Sequence, residues 1–520
     1  MTSSSIRGRP RHAKSHIAVR VAHALLGCVV GVVWLVLPGM TIRAEEPVPV
    51  AGVTAAAEQG GTSPADLVLP LVVVAAAVVL AAYGYLRRTR RARSRTTPGL
   101  VSAHPPEPSA RDFERQARAS LVAADDSVRT SREELGFAEA RFGPEAVDAV
   151  EPFAAALRAA ETELAAAFAI RRRYEQGVPE DQTARRQALV GIVGRCAEAG
   201  RRLDTEAAGF DQLRSLEGGM DEALGVAEGR FRALAGRTKG AGAVPAELGE
   251  RYAPSAAAPV TGYVEQAKDR LVFATTHLNR ARQLADSGEG ERAARELRAA
   301  EGAVAQAEVL VSGVERLAAE LAEAAGLVPA VLTGGEAEVA EARRRPRLLP
   351  EGELRARLAH ADAALAAVRE ELIRGPYDPL DALRRITRAV GLLGVGRAGV
   401  VPVAGLLAAR SATSAAGDFI ATHRAAVGAE ARTRLAEAER LLAAEAGEYA
   451  VADGLAREAR ELAERDVRAH GNPYDGAADR ASGLAGAVLG GILLGEEPDG
   501  GPPASFGGPD TRDRRRLPRE

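Results

Sequence analysis

The chain is poor in the residues that carry most redox and metal chemistry. Its 520 residues include two cysteines, Cys28 and Cys196, so neither a disulfide framework nor a thiolate metal site can be assembled. Cys28 sits within an apolar run and no histidine lies near Cys196 in sequence, which makes Cys196 a small buried apolar residue rather than a nucleophile. Aromatics are scarce at 4%, with three methionines and one tryptophan, although 46% of the chain is apolar. That apolar content is carried by Ala, Leu and Val, which disfavours a thick mixed core and favours slender helix-on-helix contacts. An excess of either charge is also missing. Lys plus Arg (68) nearly cancel Asp plus Glu (70), so no global field recruits DNA, RNA or an anionic membrane surface. The length exceeds what one hydrophobic core supports, so several units or one elongated unit are expected.

Catalytic signatures are absent as well. Of eight histidines, none pairs with another His, Cys or acid at the spacing of a zinc or di-metal site. There is no Walker A sequence, serine elbow or His-Glu-x-x-His. His277, His360 and His423 fall on separate predicted helices and read as helical histidines rather than ligands or bases. Gly394 to Gly399 formally satisfies Gly-x-Gly-x-x-Gly, with Asp418 downstream. A dinucleotide site needs that turn between a parallel strand and a helix, whereas the flanks here are helical, so it reads as a loop between helices. Acids at 132–134, 369–371 and 458–464 are interleaved with arginine at helical spacing and read as solvated faces. No catalytic, cofactor-binding or metal-binding residue is assigned, no cofactor is expected, and the expected activity is non-enzymatic.

Long apolar runs, in contrast, are present. A basic stretch (Arg7, Arg9, Arg11, Lys14, Arg20) precedes an apolar run from Val21 to Leu37, the pattern of an export signal. Residues 1–44 are therefore a signal peptide, cleaved after Ala44, or an uncleaved signal anchor. A short extracytoplasmic linker (45–66) follows. Residues 67–86, LVLPLVVVAAAVVLAAYGYL, carry no charge and are long enough to span a hydrocarbon core. Arg87, Arg88, Arg90, Arg91, Arg93 and Arg95 come directly after, while 45–66 has acids and no Lys or Arg. The positive-inside rule then places the remainder in the cytoplasm of a plasma membrane protein, whether or not the signal is cleaved.

A basic stop and Pro-rich linker (87–110) leads into a predicted cytoplasmic helical region, 111–470. Leu121, Ala124, Val128, Ser131, Leu135, Ala138 and Phe142 alternate steps of three and four, as one buried helix face does. Gly143-Pro144 interrupts the pattern and Phe153, Leu157, Ala160, Leu164 and Ala167 resume it. The longest seam runs Leu297, Ala300, Val304, Ala307, Val311, Val314, Ala318, Leu321, Ala325. Its predicted partner, Val264 to Ala285, has the same spacing, and Asp286 to Gly290 supplies the turn. The fold expected is all-α: a transmembrane helix, then an elongated array of helical hairpins or coiled-coil-like antiparallel helices. Hairpins are placed near 113–176, 185–236, 261–325, 353–390 and 430–467. Residues 391–403 are apolar and glycine-rich without a clear period, and 471–520 reads as a disordered Gly/Pro/Arg-rich tail with an apolar patch at 484–494.

The order of signal, DLVLPLVVVAAAVVLAAY, basic stop and TTPG, then ASLVAADDSVRTSREELGFAEARFG, YAPSAAAPV, EQAKDRLVFATTHLNRARQ, GPYDPLDALRR, ATHRAAVGAEARTRLAEAERLL and ERDVRAHGNPY resembles the membrane and cytoplasmic part of actinobacterial TPM-domain proteins. The similarity extends over nearly all of 64–475. In that family an exported α/β TPM domain lies between signal and membrane helix, and some relatives are phosphatases with acidic metal-binding residues. Here only 45–64 occupies that interval, too short for such a domain, so no site residue carries over. Long helical seams joined to a membrane anchor without a catalytic constellation point to an interaction or scaffold protein, and the resemblance adds the alternative of an accessory or degenerate member of a TPM-type phosphatase system. The partners expected are membrane lipid around the spanning helix, other helical proteins or itself, and a full-length TPM-domain relative.

Overall fold

A computed structural model describes residues 109–143, 147–214, 216, 219–344, 350–394, 399–444, 447–470, 490–492 and 505–511. The signal segment, the linkers before residue 109 and the 67–86 span lie outside the described residues. By its internal contacts the chain divides at Ala103/His104, and every described residue belongs to the second unit.

That unit is all-α, with no strand among the described residues. Its main helices are α1 (Ala110–Phe142), α2 (Val147–Glu175), α3 (Gln182–Arg214), α4 (Met220–Ala241), α5 (Val244–Arg251), α6 (Pro254–Ala257), α7 (Tyr263–Asp286), α8 (Gly290–Arg344), α9 (Glu351–Arg374), α10 (Pro379–Gly391), α11 (Val400–Thr422), α12 (Ala429–Ala443) and α13 (Tyr449–Ala469). Alanine-rich sequence has high helix propensity, and local chemistry sets several ends. Ser109 caps α1 in a reciprocal box, its hydroxyl accepting from the Asp112 N–H while the Asp112 carboxylate accepts from the Ser109 N–H at 3.0 Å. Gly143 ends α1 with a φ of 70°, and its N–H donates to the Glu139 carbonyl at 2.9 Å. Only glycine takes that left-handed turn without strain. Asp378 caps α10 through the Asp381 N–H at 3.0 Å, with Pro379 in the first helical position.

The helices pack as hairpins. α2 lies on α3, α7 on α8, α9 on α10, and α12 on α13. α8 is the central element, 55 residues long, and touches α4, α7, α9, α10 and α11. Its seam is buried: Leu297, Ala300, Val304, Ala307, Val311, Val314 and Leu321 are all at most 1% exposed. The periodic seam ends at Ala325, yet the helix continues through Pro329 to Arg344. Packing explains the extension. At Gly335 a β-carbon would lie 3.0 Å from Leu365 and 3.3 Å from Ile386 and Val390, so a glycine there lets α9 and α10 close onto this end.

Residues 400–422, within and after the stretch that lacks a clear period, form α11. Ala404, Ala408, Ala409, Ala416 and Ile420 are buried, and small residues on several faces let α8, α12 and α13 approach, which blurs any single stripe. Both α8 and α11 are long and apolar enough to cross a membrane by length and composition, and both bury apolar residues against neighbouring helices of this unit. Truncating the seam tests its weight. Leu310→Ala, at a fully buried site on α8, is expected to cost about 2–5 kcal/mol. Val272→Ala, at a 67% exposed site on α7, should change stability by less than about 0.5 kcal/mol. Chemical denaturation of both variants checks the contrast.

The hairpins do not contact only their sequence neighbours. α12 returns to pack on α2 and α1, and this closure gathers the charged residues described next.

Candidate functional site

α1 has an apolar face toward α2 and α3 and a polar flank that is also buried. Asp125, Ser127, Thr130, Ser131 and Glu134 are each at most 5% exposed. Carboxylates are tolerated at such depth only when paired, and the partners come from distant parts of the chain. Arg432 on α12, 1% exposed, donates through Nη1 to Asp125 Oδ2 at 2.5 Å and Asp126 Oδ1 at 2.7 Å, 307 and 306 residues away. Its Nε and Nη2 donate to the carbonyls of Val427 and Arg424. Arg129 Nε supplies Asp125 with a second cation at 3.0 Å. Burial pushes the Asp125 carboxyl up, but Arg129 and Arg432 outweigh it and hold the group below the ordinary carboxylate range.

The seam continues on both sides. Arg424 forms a two-pronged pair with Glu133, 2.9 and 3.2 Å. Arg434 bridges Glu458 on α13, at 2.8 Å, to Glu175 at the end of α2, which also accepts from Arg171 at 2.7 Å. Toward the centre, Arg214 at the end of α3 donates to both oxygens of Glu301 on α8, 2.8 and 2.6 Å, with Glu134 at 3.7 Å. Beside the seam a cleft of about 630 Å³ opens between α1 and the α11–α12 corner. Arg118, Asp126, Thr130, Arg424, Glu430 and Asp466 give it polar groups of both signs, and Ala, Val and Gly fill the rest of its wall.

The acidic groups that look solvated in sequence are therefore divided. Glu370 with Arg374 is a four-residue pair on a helix surface, whereas Arg460, paired with Glu464 at the same spacing, is largely covered and also reaches the Tyr263 hydroxyl and the Ala415 carbonyl. Glu133 and Glu134 are not surface pairs: the first pairs across 291 residues and the second is buried. Helical spacing identifies i, i+4 neighbours but not which charged stripe a returning helix will cover, so within 132–134 the solvated-face reading fails at Glu133 and Glu134.

Other sequence landmarks fall as follows. Cys196 is buried on α3, and burial pushes its thiol up to about 12, far from a reactive thiolate. Gly394 follows α10 and Gly399 precedes α11, so the glycine motif lies between helices. Among the described residues no group of three or more His, Cys, Asp or Glu could hold a metal ion. His360 is exposed on α9. His277 is buried on α7, its ring tilted at 35° against Phe273 and its Nδ1 2.5 Å from Glu296.

His423 is buried just after α11, stacked on Phe419 at 4.2 Å, with Nδ1 3.1 Å from the Phe419 carbonyl and 3.0 Å from the Thr422 hydroxyl. Burial pushes its imidazole down to about 4, aided by Arg270 and Arg460. With the folded value depressed, the unfolded chain takes up the proton first as pH falls. The stability contribution is complete above about pH 6.5 and is lost as pH falls to about 4, some ~3 kcal/mol in all. His423→Gln is expected to flatten the stability profile over that window, read from denaturant midpoints at several pH values.

The arrangement as a whole pairs charge with charge across helices that are far apart in sequence. Removing one partner from such a pair strands a buried charge, which penalises arrangements that separate these helices. UPF0603 proteins of two Mycobacterium tuberculosis strains are each 31% identical to this chain over 424 residues, covering 75% of it. The match covers 63% of the length of those relatives. No family model and no solved structure matches the chain.

Proposed function

We propose that this protein is a membrane-anchored, non-catalytic interaction or scaffold protein whose helical region lies in the cytoplasm and binds other helical proteins or itself. The observation that carries the reading is the buried charge seam. It joins α1, α2 and α3 to α8, α12 and α13 with cations and carboxylates that compensate one another, the chemistry of a rigid platform rather than of proton or group transfer. The mixed-charge cleft and exposed apolar side chains such as Ile373, 82% exposed, supply docking surface. The membrane anchor rests on the uncharged 67–86 segment, and the cytoplasmic placement on the arginine run after it.

A second reading is an accessory or degenerate member of a TPM-type phosphatase system, with the catalytic domain supplied by a relative. What favours it is the resemblance of 64–475 to TPM-domain proteins together with the interval of 45–64, too short for that domain.

Crosslinked affinity purification of the full-length protein from its native membrane, read by mass spectrometry, separates the two. Recovery of itself alone supports the scaffold, and recovery of a TPM-domain relative supports the accessory role. Hydrolysis of a phosphomonoester by the purified chain alone would sink both. For the topology, protease added to intact cells is expected to spare 111–470, and digestion there without breaking the membrane overturns the cytoplasmic placement.

A further inference from the structure

The C-terminal sequence Ser505–Thr511 (SFGGPDT) is separated from α13 by residues 471–504, and reads by composition as part of a tail without fixed structure. It is instead packed into the α1–α3 module. Phe506 is fully buried, stacked on Phe210 of α3 at 4.5 Å and 21°, and edge-on to Phe153 of α2 at 5.9 Å and 78°. Phe153 and Phe210 are themselves edge-to-face at 5.3 Å, so the three rings form one aromatic cluster.

Three backbone N–H groups beyond Phe506 are matched by side chains of the α1–α3 module. The Gly507 N–H donates to the Ser131 hydroxyl on α1 at 3.2 Å. Asp204 on α3 receives the Gly508 N–H at 2.9 Å, the Thr511 N–H at 3.0 Å and the Thr511 hydroxyl at 2.5 Å, all on Oδ1. The steric fit is equally specific. A β-carbon on Gly508 would fall 2.4 Å from the Gly200 carbonyl oxygen, and one on Gly200 would fall 2.7 Å from Pro509. Gly507 has a φ of 135°, a conformation that side chains other than glycine's rarely adopt. An aromatic slot, a carboxylate that gathers two N–H groups of the peptide and a wall that admits only glycine are the parts of a peptide-recognition groove.

We propose that the groove formed by Ser131, Phe153, Gly200, Asp204 and Phe210 is a peptide-binding site, and that its occupant is this chain's own Ser505–Thr511, held as an intramolecular ligand. Four residues of the peptide have distinct tasks. Phe506 anchors it, Gly507 and Gly508 allow the close approach, and Thr511 closes the contact on Asp204. Release of the segment vacates an aromatic slot that accepts the same sequence presented from outside. This site is independent of the platform reading above, because its contacts involve none of the arginines of the charge seam.

Hydrogen exchange on the full-length chain tests it. Amides of 505–511 are expected to be protected in the unmodified protein. Phe506→Ala is expected to lower that protection about 100-fold. Thr511→Glu, which sets a carboxylate against Asp204, should likewise free the segment. Both substitutions lie outside α1–α13, so protection along α8 must stay unchanged. A fluorescent peptide of residues 503–513 should then bind the Phe506→Ala chain and not the unmodified one. Exchange of 505–511 at the rate of an unstructured peptide in the unmodified chain overturns the proposal. So does equal capture of the peptide by both chains, capture by neither, or protection that rises with protein concentration, which would place a second copy in the groove.

Discussion

Replacing Arg214 with Met is expected to destabilise the helical unit by about 3–5 kcal/mol, the cost of removing one partner from a buried ion pair. Arg214 is 1% exposed and faces two carboxylates, Glu301 at 2% exposure and Glu134 at 5%. Burial pulls its guanidinium down, but Glu301 and then Glu134 outweigh that and hold it above its already high ordinary value. The substitution leaves Glu301 without the hydrogen bonds of 2.8 and 2.6 Å, one on each oxygen, that now compensate its charge, in a site with little access to water. Glu134 retains Arg298 at 3.9 Å, a longer contact. Combining Arg214→Met with Glu301→Leu removes the stranded charge. The double variant is expected to be less destabilised than the sum of the two single variants, by about 1–3 kcal/mol. Denaturant midpoints at constant slope measure each term, and strict additivity would show that the pair does not act as a unit.

Arg432→Met is the second large effect, about 3 kcal/mol, at the lower end of the range because Arg129 remains beside Asp125. It also strips donors from the carbonyls of Val427 and Arg424, which shape the turn between α11 and α12. Its signature is in the pH dependence. The Asp125 carboxyl is held below the ordinary range in the folded chain, so its stabilising contribution is complete above the unfolded value of about 4 and is lost as pH falls through the folded value. Removing Arg432 raises the folded value, narrows that difference, and is expected to move acid unfolding to higher pH. A variant that loses stability equally at every pH would show that Arg432 acts by packing alone. Both substitutions act where α1–α3 meet the rest of the unit, so hydrogen exchange after Arg432→Met should rise first at the α1–α12 contact.

Much of the secondary structure is legible from residue spacing. The alternation of Leu121, Ala124, Val128, Leu135 and Ala138 marks residues that are buried on α1, and Gly143 ends that helix as a glycine in a left-handed turn must. The pairing of α7 with α8 follows from two seams of equal period joined by a turn of Ser and Gly. α11 was not legible, since its alanines and glycines face several neighbours and leave no single stripe. The Ser505–Thr511 contact was hidden for a different reason. Its glycines and proline are the residues that disfavour regular structure, and the same residues give the close fit against Gly200 and Asp204.

The sequence by itself determined that this region is helical, where most turns fall and which face is apolar in helices with a single stripe such as α1 and α8, because those properties depend on residues three or four apart. The tertiary structure alone decided that α12 returns to α1, that Glu134 and Asp125 are interior while Glu370 stays on the surface, and that Arg432 answers Asp125 from 307 residues away. Those choices come from close packing between distant helices, where the cost of an unpaired buried charge selects the partner, and a local periodicity carries no record of that selection.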